Sequence, residues 1–410
     1  MANLFAYTIS DYSNSEAGAI TGTRGATTVD ATASKAKITD LNGDAACFNF
    51  FDNNSASKLV FRQYTYSDTD LKANQIIAPQ GDWTSPVASK IWNAVANMHA
   101  VASHGNYLYA TGYDLAQIAV VNMTSSYTQA ATVNFPSALA ETGHVYHGEG
   151  LAVLGEYLYV LFSDNIGTGY ATYDNSYVVQ YAISGSTLTY ASYVRAGKNA
   201  FTLELHGSKM YICALGGMQN AGNANADTCI SIVTVSRRNV MSVASAVLPT
   251  GVTGDFRDIT ITDDGNAYIF SGYYSSDYSS FIGHIYGTTI TNLNATTPSA
   301  WTTLKTISDA GYFWYIYTEG TSNRFWFVKG NVIEVYPASS TLGTPQSFDS
   351  TALASNTNYT NINAACFIAA DATATRGAAG VSHSAKSCVG QARLAREAHE
   401  LAEKCKKAKK

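Results

Sequence analysis

Only 13% of the 410 residues are Asp, Glu, Lys or Arg, so ionisable side chains that gather at regular positions stand out. His99, His147, Glu149, Arg257 and Asp258 each fall six to eight residues before a recurring segment of the type Gly-x-x-Leu-Tyr. An imidazole with a carboxylate beside it can move a proton, and a guanidinium can orient a carboxylate or phosphate. Together these residues could work as a ligand-binding or hydrolytic site, or they could be mutually hydrogen-bonded groups lining a polar channel. Asn97, Asn199, Phe201, Trp314 and Ile316 share the offset. His144-Val-Tyr-His147-Gly-Glu149 offers three metal-ligand types. In a strand, however, His144 and His147 point to opposite faces, and the spacing fits no standard zinc pattern, so no metal is expected. Asp40-Leu-Asn42-Gly-Asp44 starts like a calcium loop but continues with Ala45 and reads as a turn.

The elements that must position these residues repeat. Segments starting at Ala2, Ser57, Gly105, Gly155, Gly207, Gly265 and Ser322 share one strand pattern and are spaced by 48 to 58 residues. The chain also holds 28 Tyr and 32 Gly against 7 Pro, a composition that suits half-buried strands. A period near 50 residues with three or four strands per unit predicts an all-β, seven-bladed β-propeller. Blade 1 has no room upstream for its own innermost strand. Ala364-Ala-Cys-Phe-Ile-Ala-Ala370 repeats Ala45-Ala-Cys-Phe, one period after the last unit. A C-terminal strand over 364–370 is therefore expected to close the ring beside residues 3–8. The propeller is placed at 1–376. A linker and a short, charged amphipathic C-terminal helix are placed at 377–410.

The segment Gly105-Asn-Tyr-Leu-Tyr-Ala-Thr-Gly-Tyr113, followed by Ile118-Ala-Val-Val-Asn122, resembles the YVTN-type repeats of lactonase-like seven-bladed propellers. The motif's Asn is Gly112 in this unit and Phe162, followed by Ser163, in the next. The resemblance implies the fold. It also implies that a sugar-lactone hydrolase is one of the family's roles, beside surface-layer and other secreted propellers.

Gly-x-Ser-x-Gly, Walker, His-Glu-x-x-His and Cys-x-x-Cys signatures are absent, and no cofactor is expected. Cys213 and Cys229 lie symmetrically in one expected hairpin and are read as a disulfide candidate. Cys47 and Cys366 occupy equivalent places in adjacent blades and form a second. Outside the basic segment 386–410 the net charge is −10, against nucleic-acid binding. No run of about 20 apolar residues predicts a membrane span. The sparse charge favours a secreted or surface-exposed chain, with a cytoplasmic one as the alternative. The first functional reading is a binding or structural module acting through its channel mouth and the Tyr-rich loops at 167–175 and 272–280. Its partner would be a small molecule, glycan or protein. The second reading is a lactonase-like hydrolase using the His/Glu/Arg set.

Overall fold

The computed structural model describes residues 2–43, 45–52, 57–63, 74–78, 83, 87–90, 97–167, 172–218, 222–277, 279–309, 315–319, 324–337 and 341–368. The helix expected within 377–410, together with Asp44 and Trp314, lies outside them.

The described residues form seven four-stranded antiparallel sheets, the blades of a propeller. The innermost strands of blades 2 to 7 are Ala46–Phe51, Met98–His104, His144–Leu154, Ala200–His206, Phe256–Ile261 and Tyr315–Thr318. Each predicted repeat segment contributes the second strand of its blade. Both faces of a blade are covered by its neighbours, so inner strands read as apolar runs rather than alternating patterns. Leu158 to Asn165 are all buried. The outermost strand of blade 3, Thr128–Asn134, alternates exposed and half-buried residues instead. Gly105, Gly155 and Gly207 make the turns between first and second strands at φ of 55°, 59° and 61°. No atom lies within 4 Å of a Cβ added at any of them. Backbone conformation, not space, is what calls for glycine there.

Blade 1 combines both ends of the chain. Asn361–Phe367 is its innermost strand, followed outward by Ala2–Ser10, Asn14–Gly22 and Thr32–Asn42. Pairing runs from Phe5 with Phe367 to Ser10 with Asn361. The closure is the predicted one, displaced a few residues from the expected 364–370 against 3–8. A buried clasp also holds blade 7 to blade 1. Arg324 bonds Glu319 of its own blade and reaches across to the Thr23 and Thr28 carbonyls and to Asp30, while Trp326 Nε1 donates to Glu319 at 2.7 Å.

The hairpin disulfide is corrected. Cys213 is opposite Ile230, and Cys229 is opposite Ala214, so the two cysteines sit one register step apart and face opposite sides of the blade. Cys213 packs with Tyr211 and Phe256, whereas Cys229 packs toward Ala200 and Ala214. Symmetry about the loop midpoint misled because a connection as long as 215–228 does not fix register, which is free to differ from the midpoint by one.

Blade 4 is taller than blade 3. Its strands have 11, 10, 12 and 12 residues, against 7, 6, 6 and 7. Its innermost strand starts five residues before Glu149, while that of blade 3 starts one residue before His99. The extra length is therefore at the end where the innermost strands begin.

Candidate site at the channel mouth

All innermost strands begin at one end of the channel, and contacts near that end tie neighbouring blades. Thr8 donates to the Ala45 carbonyl (2.6 Å), Arg62 to Asn97 (2.6 Å) and Thr202 to the Arg257 carbonyl (3.2 Å). In five blades the strand is interrupted near its start by a bulge that leaves one residue without an opposite number. These residues are Asn363, His99, Glu149, Phe201 and Arg257. A bulge twists the strand and re-aims that side chain. Three of the five sequence-selected residues are bulge residues.

His99 and Glu149 meet across the junction of blades 3 and 4. His99 Nδ1 is 2.9 Å from Glu149 Oε2, and Ser163 Oγ donates to Glu149 Oε1 at 2.8 Å. All three are buried. Burial pushes the Glu149 carboxyl up to about 8, with the Ser163 hydrogen bond pulling the other way. His147 stands beside the pair. Tyr113, from the loop between the second and third strands of blade 3, stacks on its ring at 4.1 Å and 12° and lies 4.5 Å from the His99 ring. Its Nδ1 is 3.1 Å from the Tyr113 carbonyl, which can only accept. Nδ1 therefore carries the proton and Nε2 the lone pair. Burial lowers the His147 pKa to about 4, so this imidazole is neutral across ordinary pH.

The other selected residues are elsewhere. Arg257 Nε donates to the Gly272 carbonyl at 2.8 Å, and its guanidinium lies 4.9 Å from the Phe281 ring and 5.6 Å from the Tyr274 ring. Its blade holds it, and it does not join the His99–Glu149 pair. Asp258 accepts from the Ile259 and Ile316 amides, both at 2.9 Å, and so fastens blade 6 to blade 7. The Tyr-rich loops are met only in part. Tyr173 and Tyr274 are buried strand residues, because blade 4 and blade 6 strands run further than their turn-like sequences suggest, and Tyr170 and Tyr278 lie outside the described residues.

Sequence reasoning missed Ser163, Tyr113 and Asp255. Ser163 follows directly on the motif's Asn position, Phe162 in this unit, and is polar within an apolar strand, which was the available signal. Asp255 accepts from Asn225 N at 2.6 Å and from its side chain at 3.0 Å, and burial raises its pKa to about 6.

The other face of the tall blade carries an ionic cluster. Glu141, His144 and Asp164 each bring a metal-ligating atom within 4.8 Å of the others. His144 Nδ1 is 2.8 Å from Asp164, and Arg195 is 3.4 Å from both Glu141 and Asp164 and 3.3 Å from Asp174. The Arg195 guanidinium lies over the Tyr177 ring at 4.0 Å. A cation already occupies the charge centre, and the group reads as an ion-pair network. As strand geometry requires, His144 and His147 do not converge.

No family model matches the chain, and no curated protein matches it either. Solved structures do. A periplasmic gluconolactonase of Pseudomonas aeruginosa is 13% identical and aligns over 90% of this chain and 99% of its own, with a TM-score of 0.58. A Bacteroides uniformis protein provisionally named a 6-phosphogluconolactonase is 11% identical over 89% of this chain and all of its own, with a TM-score of 0.49. The chain has the lactonase-like seven-bladed propeller fold. At such identities the likeness establishes architecture, and chemistry has to come from the residues at the mouth.

Proposed function

We propose that the protein is a lactone hydrolase acting at the channel mouth, with Glu149 as general base and His99 as its hydrogen-bonded partner. One observation carries this reading: a buried carboxyl and imidazole from two blades are 2.9 Å apart, and burial pushes that carboxyl up to about 8. A base with a pKa near the working pH combines sufficient ionised fraction with strong proton affinity. Water attacks the lactone carbonyl carbon as Glu149 takes its proton. The ring C–O bond then breaks, and the same proton passes to the alkoxide oxygen, giving the hydroxy acid. The likeness to a gluconolactonase supports this choice of substrate class.

Binding without turnover is the second reading. Asn165 Oδ1 and Asn199 Nδ2 are buried toward the same end and have no hydrogen-bond partner among the described residues, as suits groups that receive a hydroxylated ligand. The sparse surface charge supports an exported or surface location for either role.

The test is hydrolysis of a panel of sugar and acyl lactones, followed by proton release. Wild type should exceed the buffer rate, and Glu149→Gln should lower kcat/KM at least 100-fold without lowering Tm. No hydrolysis of any lactone by wild type overturns the enzyme reading. Saturable binding of the same lactones would then support the second.

A further inference from the structure

The ring is closed by strand pairing within blade 1, and the next junction, between blades 1 and 2, brings two thiols together. Cys366 lies on the C-terminal innermost strand of blade 1, and Cys47 on the innermost strand of blade 2. Their Sγ atoms are 3.8 Å apart, and both side chains are buried. The placement follows from the sequence repeat. Ala45-Ala-Cys-Phe and Ala364-Ala-Cys-Phe put each cysteine at the same level of consecutive innermost strands, flanked by small residues that let the strands approach. Strand period 2 turns the Cys213 and Cys229 side chains apart, whereas the Cys47 and Cys366 sulfurs meet across the seam between adjacent innermost strands.

We propose that Cys47 and Cys366 form a disulfide that staples the C-terminal strand into the ring. The reaction is exchange with a low-molecular-weight disulfide. One cysteine thiolate attacks it, forming a mixed disulfide and releasing one small thiol. The second cysteine thiolate then displaces the other small thiol. The two cysteines are oxidised, the small disulfide is reduced to two thiols, and the two protons lost by the cysteines are taken up, through the buffer, by the two departing thiolates, so no net proton is released. Bond formation requires the sulfurs to close from 3.8 Å to about 2.05 Å, a movement within reach of side-chain rotation. The bond would link residues 319 apart in sequence. A cross-link over so long a loop removes much of the freedom of the unfolded chain, and it acts where the propeller must otherwise open, by release of its last strand.

The experiment uses the full chain, refolded from denaturant in oxidised and reduced glutathione so that burial in the native state does not limit exchange. Thiols are then alkylated under denaturing conditions without reduction, and the digest is mapped by mass spectrometry. The expected result is a linked peptide joining Cys47 to Cys366, with a Tm roughly 5 to 10 °C above that of the same sample after reduction. Cys47→Ala should abolish both the linked peptide and the Tm difference while the reduced variant still folds. Full alkylation of both thiols, linkage of either to another cysteine, or a linked form melting no higher than the reduced form would overturn the proposal.

Discussion

Glu149→Gln tests the electrostatics of the mouth without reference to any substrate. Burial raises the Glu149 carboxyl from 4.5 to about 8. The folded protein thus holds a proton that the unfolded chain releases near pH 4.5. The stability tied to the neutral acid is fully present below about pH 4.5 and is lost as the pH rises through about 8. At about 1.36 kcal/mol per pKa unit, the whole window corresponds to about 5 kcal/mol. Between about pH 5 and about pH 8.5 a loss of about 3 to 5 kcal/mol is therefore expected. Glutamine stays neutral at every pH and can still accept from Ser163. Urea unfolding of wild type and variant at about pH 5 and about pH 8.5 gives a difference of differences from which His147, Asp255 and other titrating groups cancel. The variant should match wild type within about 1 kcal/mol at the acid end and exceed it at the alkaline end. A gap that is the same at both pH values, within about 0.5 kcal/mol, would refute the assignment of a buried, high-pKa carboxyl at this position.

Arg324→Met should be among the most damaging single changes. It leaves Glu319 buried without its cation and cuts the clasp to blade 1, a loss of about 3 to 5 kcal/mol readable by thermal unfolding, and a loss under about 1 kcal/mol would show the clasp to be dispensable. Asp258→Asn leaves one acceptor oxygen for two backbone amides. It should cost about 1 to 3 kcal/mol while leaving any lactone kcat/KM at low temperature within about twofold, and a selective loss of activity at unchanged Tm would return Asp258 to the site.

The architecture was legible because a propeller writes its period into its turns. The glycines at 105, 155 and 207 recur where a left-handed turn joins the first two strands, and the second Ala-Ala-Cys-Phe marks the strand that blade 1 lacks. Those signals depend on local backbone chemistry and survive any amount of side-chain variation. The pairing of Cys213 with Cys229 was not legible for the opposite reason. It depended on a one-residue register, and a loop long enough to be irregular does not fix register.

The site falls between these cases. Counting back from a turn locates a residue along the channel, so His99, Glu149 and Arg257 were all found at bulge positions near the strand starts. Counting does not say what that side chain meets. In blade 4 the bulge residue finds Ser163 on the neighbouring strand and His99 on the neighbouring blade. In blade 6 it finds Phe281 and Tyr274, and their π faces together with the Gly272 carbonyl satisfy the guanidinium locally. In these two blades the groups offered by the outer strands and by the neighbouring blade, not the strand that carries the candidate residue, therefore decide whether the bulge side chain is delivered to the mouth or retained by its own blade. Replacing an aromatic near Arg257 and adding a polar residue near Glu149 are for that reason not equivalent perturbations: the first releases a cation toward the channel, and the second withdraws the acid from it.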